Sequence, residues 1–235
     1  MEIKEYYHFF SKEAKEDMHI HPRPNCFFVD VICHYVDLCI ELGIDKIGFV
    51  EHGRRISKKH QGVLNNENDV HKFVQSISTV KNQKKYQGIE IKCGIEIDYS
   101  TDSNFVRDML QLSTKVKGLD YVIGSVHGFG EKSYKEYIYA VLDLVSNYKI
   151  DVLGHFILSE EIVNYWDEIF QILDILYRRK IYLELNKGER YDCGNIEIKI
   201  QFLKAAIIRN TSFSFGSDAH SYIELLMNNS KRWLC

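Results

Sequence analysis

The sequence predicts an α/β fold built on parallel strands, either a barrel or a doubly wound sheet. Short apolar runs typical of buried parallel strands alternate with longer segments of helical periodicity. Seven such strands and six helices follow one another, and no Pro-, Gly- or Ser-rich linker separates them. We therefore expect a single domain over residues 1–235, in which residues 1–16 form an N-terminal extension.

The predicted elements are taken in chain order. The strands are short and mostly apolar, and they cover residues 17–21, 45–50, 89–98, 119–126, 150–154, 180–185 and 212–217. The helices between them cover residues 27–42, 67–86, 103–116, 134–148, 161–179 and 195–209. The helical pattern is clearest in the fifth, where Ile162, Trp166, Ile169 and Leu173 recur at three- and four-residue steps.

Composition argues against several classes of function. A formal net charge of −3 gives no electrostatic reason to expect a nucleic acid partner. No apolar run is long enough to span a membrane, and the charged, aromatic start does not resemble a signal peptide. The six cysteines form no Cys-x-x-Cys pair, so we interpret them as reduced thiols of a cytoplasmic protein.

Histidines gather at the ends of the predicted strands. Six of the ten lie at or just after a strand end, namely His19, His21, His52, His127, His155 and His220. Because active sites of α/β barrels lie at the carboxyl ends of the strands, five strand ends would deliver these six side chains to one rim. The other strand-end positions are also polar, with Glu96 and Asp98 on one strand and Glu184 and Asn186 on another.

Two spacings favour metal binding at this rim. Residues two apart on a strand face the same side, so His19 and His21 can bind one metal ion, and Asp218 and His220 repeat the spacing. Glu96 lies between Ile95 and Ile97, where a buried carboxylate is costly unless it is paired or metal-bound. Glu96 is therefore the candidate bridge between two cations. The pattern indicates a metal-dependent hydrolase.

Six motifs resemble the polymerase and histidinol phosphatase (PHP) family, in particular its small stand-alone phosphatases. They are Asp-Met-His-Ile-His, Gly-Phe-Val-Glu-His, Gly-Ile-Glu-Ile-Asp-Tyr, Asp-Tyr-Val-Ile-Gly-Ser-Val-His, Leu-Gly-His and Gly-Ser-Asp-Ala-His, in this order from Asp17 to about Ser221. The resemblance implies a distorted seven-stranded (β/α)7 barrel with two or three divalent ions of zinc, manganese or iron. It also implies a phosphomonoesterase acting on a small phosphorylated substrate, with histidinol phosphate of histidine biosynthesis expected first.

The resemblance assigns ligands to three ions. His19, His21, Glu96 and Asp218 would hold the first ion, and Glu96, His127 and His155 the second. The third would be held by His52 and His220. Family members usually carry a further histidine eight residues after the first of the His-x-His pair, but Phe27 stands at that position. We therefore expect the third site to be weak or vacant.

The residues also suggest roles in phosphoryl chemistry. Asp218 is the candidate to orient an attacking hydroxide, and a cationic side chain is expected to clamp the phosphate. The candidates for the clamp are Arg54, Lys187 and Arg190. Arg190 is preferred, because Gly188 and Gly194 mark a loop over the barrel mouth, where phosphatases of this type are similar.

Other functions remain open from the sequence. The substrate could be a nucleotide, a sugar phosphate or a phosphotyrosyl protein, or the chain could be a nuclease, since the family includes polymerase-linked members. A degenerate metal-binding protein without catalysis is a further alternative, supported by Phe27 alone. An amidohydrolase also begins with His-x-His, but it typically bridges its metals with a carboxylated lysine, where this chain offers Glu96.

Overall fold

The computed structural model describes residues 15–22, 26–53, 64–127, 133–188 and 195–230. Most of the predicted N-terminal extension, residues 1–14, lies outside these ranges. Seven strands form one parallel sheet whose order follows the chain. They are β1 (Glu16–Ile20), β2 (Lys46–His52), β3 (Glu90–Asp98), β4 (Tyr121–Ser125), β5 (Val152–Leu153), β6 (Tyr182–Asn186) and β7 (Phe213–Gly216).

The two ends of the sheet meet, so the sheet forms a nearly closed barrel. Ile20 at the end of β1 forms an isolated parallel bridge with Ala219, just beyond β7. The backbone N–H of His21 donates to the Ala219 carbonyl at 2.9 Å. The predicted (β/α)7 barrel is therefore confirmed. The alternative of a doubly wound sheet is wrong, because such a sheet reverses its strand order at a switch point.

Helices occupy the connections between strands and add one element after β7. They are α1 (Val29–Glu41), α2 (Glu67–Lys81), α3 (Ser103–Lys115), α4 (Tyr134–Asn147), α5 (Trp166–Arg179), α6 (Ile196–Ile208) and α7 (Tyr222–Asn229). Polar N-caps begin several of them, and at α4 the side chains of Ser133 and Glu136 form a reciprocal capping box. The apolar faces of the helices pack on the outside of the barrel and form the main hydrophobic core.

Three helix predictions differ from the structure. The helix predicted over 67–86 ends at Lys81, because Gln83 is extended, and a separate 3-10 turn follows at Lys84–Tyr86. The helix predicted over 161–179 starts as a 3-10 turn, Glu160–Asn164, and α5 begins only after Tyr165 leaves the helical region. Helix α7 was not predicted, since it is short and buries only Leu225 among its residues.

A small apolar layer fills the barrel below the strand ends. It consists of Met18, Val50, Tyr121, Ile123 and Val152. The Tyr121 hydroxyl crosses the interior from β4 and donates to the Met18 carbonyl at 2.7 Å. A Cβ at Gly48 would lie 2.2 Å from that hydroxyl, so glycine makes room for the ring. This layer separates the polar carboxyl end of the barrel from its opposite end.

Candidate metal centre

The eight predicted metal ligands lie together at the carboxyl ends of the strands. His19 and Glu96 lie within β1 and β3, and His52 ends β2. The remaining five follow a strand by no more than four residues: His21, His127, His155, Asp218 and His220. Four of the six histidines are almost fully buried, and His127 and His220 reach the surface in part.

Four donor atoms form a compact group above the apolar layer. The Nε2 atoms of His19 and His21 are 3.1 Å apart. Glu96 Oε2 lies 3.5 Å from the first and 3.4 Å from the second. Asp218 Oδ1 lies 3.5 Å from the first and 3.2 Å from the second. Ligands about 2.0–2.1 Å from a zinc ion at tetrahedral corners are about 3.3–3.4 Å apart, so these donors fit a small divalent ion.

Glu96 joins this group to a second one through its two oxygens. Its side chain is fully buried. Oε1 faces His155 Nε2 at 3.0 Å and His127 Nε2 at 3.4 Å, whereas Oε2, which faces the first group, also lies 2.8 Å from His52 Nδ1. On the outer side, Asp98 Oδ1 lies 2.9 Å from His127 Nδ1. A carboxylate with imidazoles on both oxygens has the arrangement expected of a bridge between two ions.

A third group consists of His21, His52 and His220, whose ring nitrogens also lie close enough together to share an ion. The His21 ring stacks on the other two, with centroids 4.4 Å from His52 and 4.2 Å from His220. Phe27 is partly buried and packs against the main hydrophobic core. Apolar packing of this side chain adds no donor, and the weak third site remains a prediction.

The site concentrates negative charge that must be balanced. Burial favours the neutral forms of Glu96 and Asp218, but the surrounding histidines hold both pKa values well below their usual range. Burial likewise disfavours charge on His19, yet the carboxylates of Glu184 and Glu96 raise its pKa well above the usual value. For His21, hydrogen bonds to Asp218 and other carboxylates outweigh burial and raise the pKa to about 10. Protons on the histidines can therefore balance the charge of the carboxylates, and a metal ion would balance that charge in their place.

Further carboxylates support the ligands from behind. Glu184 Oε1 lies 2.7 Å from His19 Nδ1, and Glu51 Oε2 lies 3.6 Å from His21 Nδ1. Asp17 accepts hydrogen bonds from the backbone N–H groups of His19 and Ser217, which ties β1 to the end of β7. The sequence marked Glu184 only as a polar strand-end residue. Its setting between Leu183 and Leu185 matches that of Glu96 and was the available signal.

The three predicted phosphate clamps fall in different places. Arg54 and Arg190 lie outside the described residues, so their role remains a prediction. Lys187 is described and is only 7% exposed. Its ammonium group donates to Asn229 Oδ1 at 3.0 Å. Burial raises the pKa of the nearby Asp17 carboxyl, and the Lys187 charge opposes that rise only in part. The contact with Asn229 places the Lys187 ammonium beside α7.

Two observations relate to the predicted compartment. None of the helices within the described ranges is both long enough and apolar enough to cross a membrane. Four of the six cysteines are described, and Cys26, Cys33, Cys39 and Cys93 are all buried. Their reduced state and the cytoplasmic location remain predictions.

Comparisons with known proteins bear on the family and the fold. Among solved structures, the chain is similar to a histidinol phosphate phosphatase from Lactococcus lactis subsp. lactis Il1403 complexed with zinc, L-histidinol and phosphate. The identity is 22% and the TM-score 0.71, over 94% of this chain and 92% of that chain. Arabidopsis ADAL complexed with IMP matches at 10% identity and a TM-score of 0.49, over 96% of this chain and 85% of that chain. No curated protein sequence matches the chain.

The sequence of the barrel also matches a family model. The model is that of the PHP domain, and it matches residues 17–188, which include all of β1 except Glu16, the strands β2 to β6 and six of the eight candidate ligands. The first structural likeness extends the shared barrel fold over nearly the whole chain. The chain therefore belongs to the PHP domain family.

Proposed function

We propose that this protein is a metal-dependent phosphoesterase that hydrolyses a small phosphate monoester. The observation that carries the proposal is the buried Glu96 carboxylate, which presents one oxygen to His19 and His21 and the other to His127 and His155. Two ions held on either side of this carboxylate would supply positive charge to a phosphoryl group and lower the pKa of a water molecule. Membership of the PHP domain family supports the same reaction class.

The protein side chains would position the attacking water. Asp218 has a positive φ of 50°, which turns its carboxylate back towards His19 and His21. Its pKa is held well below the usual value, because the histidine charges outweigh burial, so it stays ionised at neutral pH. An ionised carboxylate can only accept hydrogen bonds, and Asp218 would therefore orient an attacking water by accepting a hydrogen bond from it.

L-histidinol phosphate is the substrate that we propose first, which would assign the chain to histidine biosynthesis. The structure from Lactococcus lactis with the same barrel fold is that of a histidinol phosphate phosphatase and contains L-histidinol and phosphate. Arg190 and Arg54 remain the proposed clamps for the phosphate, since guanidinium groups suit bidentate contacts to phosphoryl oxygens. Lys187 is the weaker candidate, because its ammonium group already donates to Asn229.

A phosphate-release screen tests the proposal. The purified chain is loaded with zinc or manganese, and L-histidinol phosphate is compared with nucleotides, sugar phosphates and phosphotyrosine. Asp218→Asn is the test variant, and Asp151→Asn is the control. Asp151 also accepts a backbone hydrogen bond, from Val122, but it lies at the opposite end of the barrel. We expect Asp218→Asn alone to lose turnover.

The screen separates the candidate functions. Preferred turnover of L-histidinol phosphate would support the finer proposal, and preferred turnover of another monoester would retain the phosphoesterase and replace the substrate. A wild-type chain that binds divalent ions firmly and releases no phosphate from any of these compounds would refute enzymatic phosphoester hydrolysis. It would support the non-catalytic metal-binding alternative instead.

A further inference from the structure

One buried carboxylate contacts two candidate metal ligands, one in the first group and one in the second, and is not itself a candidate ligand. Glu184 lies on β6 and is 3% exposed. Its Oε1 lies 2.7 Å from His19 Nδ1, on the far side of the ring from the donor group. Its Oε2 accepts the backbone N–H of His155 at 2.5 Å. His19 belongs to the first group, and His155 Nε2 faces Glu96 in the second.

The fold makes space for this carboxylate. To reach β1 from β6, the Glu184 side chain must pass β7, which lies between them in the barrel. It does so beside Gly216, where a Cβ would lie 2.1 Å from Glu184 Oε1 and 2.6 Å from His19 Cβ. Any side chain at residue 216 would therefore collide with the carboxylate or with the histidine. The Glu184–His19 contact depends on glycine at that position.

The contact with His19 fixes which ring nitrogen carries the proton. Both oxygens of Glu184 face nitrogen atoms, since Oε1 lies 2.7 Å from His19 Nδ1 and Oε2 accepts the His155 backbone N–H. An ionised carboxylate offers acceptors only, so His19 Nδ1 must be the donor. In the neutral ring the lone pair then belongs to Nε2, which is the atom that faces His21, Glu96 and Asp218. A carboxylate behind a metal-binding imidazole sets its orientation and basicity in this way.

The contact with His155 stabilises an unfavourable backbone conformation. His155 has a φ of 27°, a left-handed value that costs free energy for a residue with a side chain. It directly follows Gly154, at the turn that leaves β5. The hydrogen bond from its N–H to Glu184 holds this turn in the conformation that places His155 Nε2 3.0 Å from Glu96.

We propose that Glu184 is a positioning residue for both metal groups, which sets the tautomer of His19 and holds the backbone turn that aims His155 at Glu96. The proposal rests on the proposed metal-dependent function and adds a residue that acts through the ligands.

Glutamine is a sharp probe of this role, because it has nearly the same shape as glutamate but only one acceptor. Both partners of Glu184 are donors, the His19 ring N–H and the His155 backbone N–H. An amide can satisfy one of them and must direct its own NH2 group at the other. If the NH2 group faces His19, the ring must move its proton to Nε2, where it blocks metal binding. If it faces His155, the turn loses its hydrogen bond.

The experiment compares wild type, Glu184→Gln and Asp151→Asn by competition for zinc with a chromogenic chelator. Loss of a supporting contact behind a ligand typically weakens metal affinity about 10- to 100-fold, and we expect a loss of this size for at least one ion in Glu184→Gln. Asp151→Asn removes a carboxylate that also accepts a backbone N–H, and it should bind zinc as wild type does. Circular dichroism establishes that each variant is folded.

Histidine ring spectra provide the second measurement. In zinc-loaded wild type labelled with 15N, we expect His19 to carry a hydrogen-bonded proton on Nδ1 and to coordinate through Nε2. Glu184→Gln with wild-type zinc affinity would overturn the proposal. If that variant does not fold, a wild-type His19 with its proton on Nε2, or with an Nδ1 proton that is not hydrogen-bonded, would overturn it equally.

The two proposals fail separately. A wild-type chain that binds zinc but hydrolyses no phosphate ester would refute the proposed function and leave the role of Glu184 in metal binding intact. Unchanged zinc affinity in Glu184→Gln, with turnover in wild type, would refute only the role of Glu184.

Discussion

Replacing Glu96 by glutamine should remove the bridge between the two metal groups. Glutamine keeps the shape of the side chain, but it offers one acceptor oxygen where glutamate offers two. Oε1 of Glu96 serves His127 and His155, and Oε2 serves His52 and the first group. An amide oxygen can therefore serve one side, while its NH2 group faces the other and repels a cation there.

The size of the effect follows from burial. Glu96 is 0% exposed, so water cannot replace the lost charge. Removing one partner from a buried, charged arrangement typically costs about 3–5 kcal/mol. With a factor of ten for each 1.4 kcal/mol, binding of the affected ion should weaken about 100- to 4,000-fold. At micromolar zinc, Glu96→Gln should lose at least one ion per chain and, under the proposed mechanism, nearly all turnover.

The assay combines metal analysis of the dialysed protein with phosphate release from L-histidinol phosphate. Asp151→Asn again serves as the control, because it changes a carboxylate to an amide at the opposite end of the barrel. Wild-type metal content together with wild-type turnover in Glu96→Gln would refute the reasoning. Glu96 would then be a buried ion-pair partner of the histidines and no bridge.

Four further predictions concern the same centre. Phe27→His should raise the metal content by up to one ion and leave binding of the first two ions unchanged, as measured by metal analysis in phosphate-free buffer. A third ion already bound by the wild-type chain would show that another donor replaces the missing histidine. Gly216→Ala should weaken zinc binding in chelator competition and lower the melting temperature, because the added Cβ would collide with Glu184 and His19. Unchanged zinc affinity and melting temperature would contradict the close approach of Glu184 and His19 to Gly216. The affinity for zinc should rise between pH 6.5 and pH 9, because the pKa of His21 is raised to about 10 and its proton must leave before the ring can bind the ion. Calorimetry in buffers of different ionisation enthalpy should detect the released protons. The same raised pKa stabilises the metal-free fold below pH 6.5, and this contribution is lost as the pH rises from 6.5 towards 10. The melting temperature of the metal-free protein should therefore fall over that range, and the melting temperature of the zinc-loaded protein should fall less.

Local rules predicted most of the fold and the place of the candidate ligands. Alternation of apolar strands and helices was sufficient for the seven strands, because each strand is short, buried and bounded by polar residues. The spacing of His19 and His21 placed both on one face, and the rule for strand ends then placed their partners on the same rim. Closure of the barrel was not accessible to local rules and was expected only from the family resemblance, since the bridge between Ile20 and Ala219 joins residues from opposite ends of the chain.

Roles that depend on contacts between distant strands could not be predicted. Glu184 was visible as a polar residue at a strand end, but its partner His19 lies 165 residues away and is reached only past Gly216. Helix α7 was missed because it buries too few apolar residues to produce a helical pattern. Its contribution is nevertheless specific, since the Asn229 side chain donates to Asp17 at 2.8 Å and accepts from Lys187 at 3.0 Å.

Lys187 shows how strand periodicity could have refined the interpretation of the site. Side chains on β6 alternate, and Glu184 faces the barrel interior, where it contacts His19 and His155. Asn186 lies two residues after Glu184 and therefore faces the same side of the strand. Lys187 lies one residue further, and continued alternation points its side chain away from the barrel axis. The contact between Lys187 and Asn229 of α7 agrees with this direction. The next residue in phase with Asn186 is Gly188, which has no side chain. A cation that binds substrate above β6 is therefore better sought further along the sequence, where Arg190 follows.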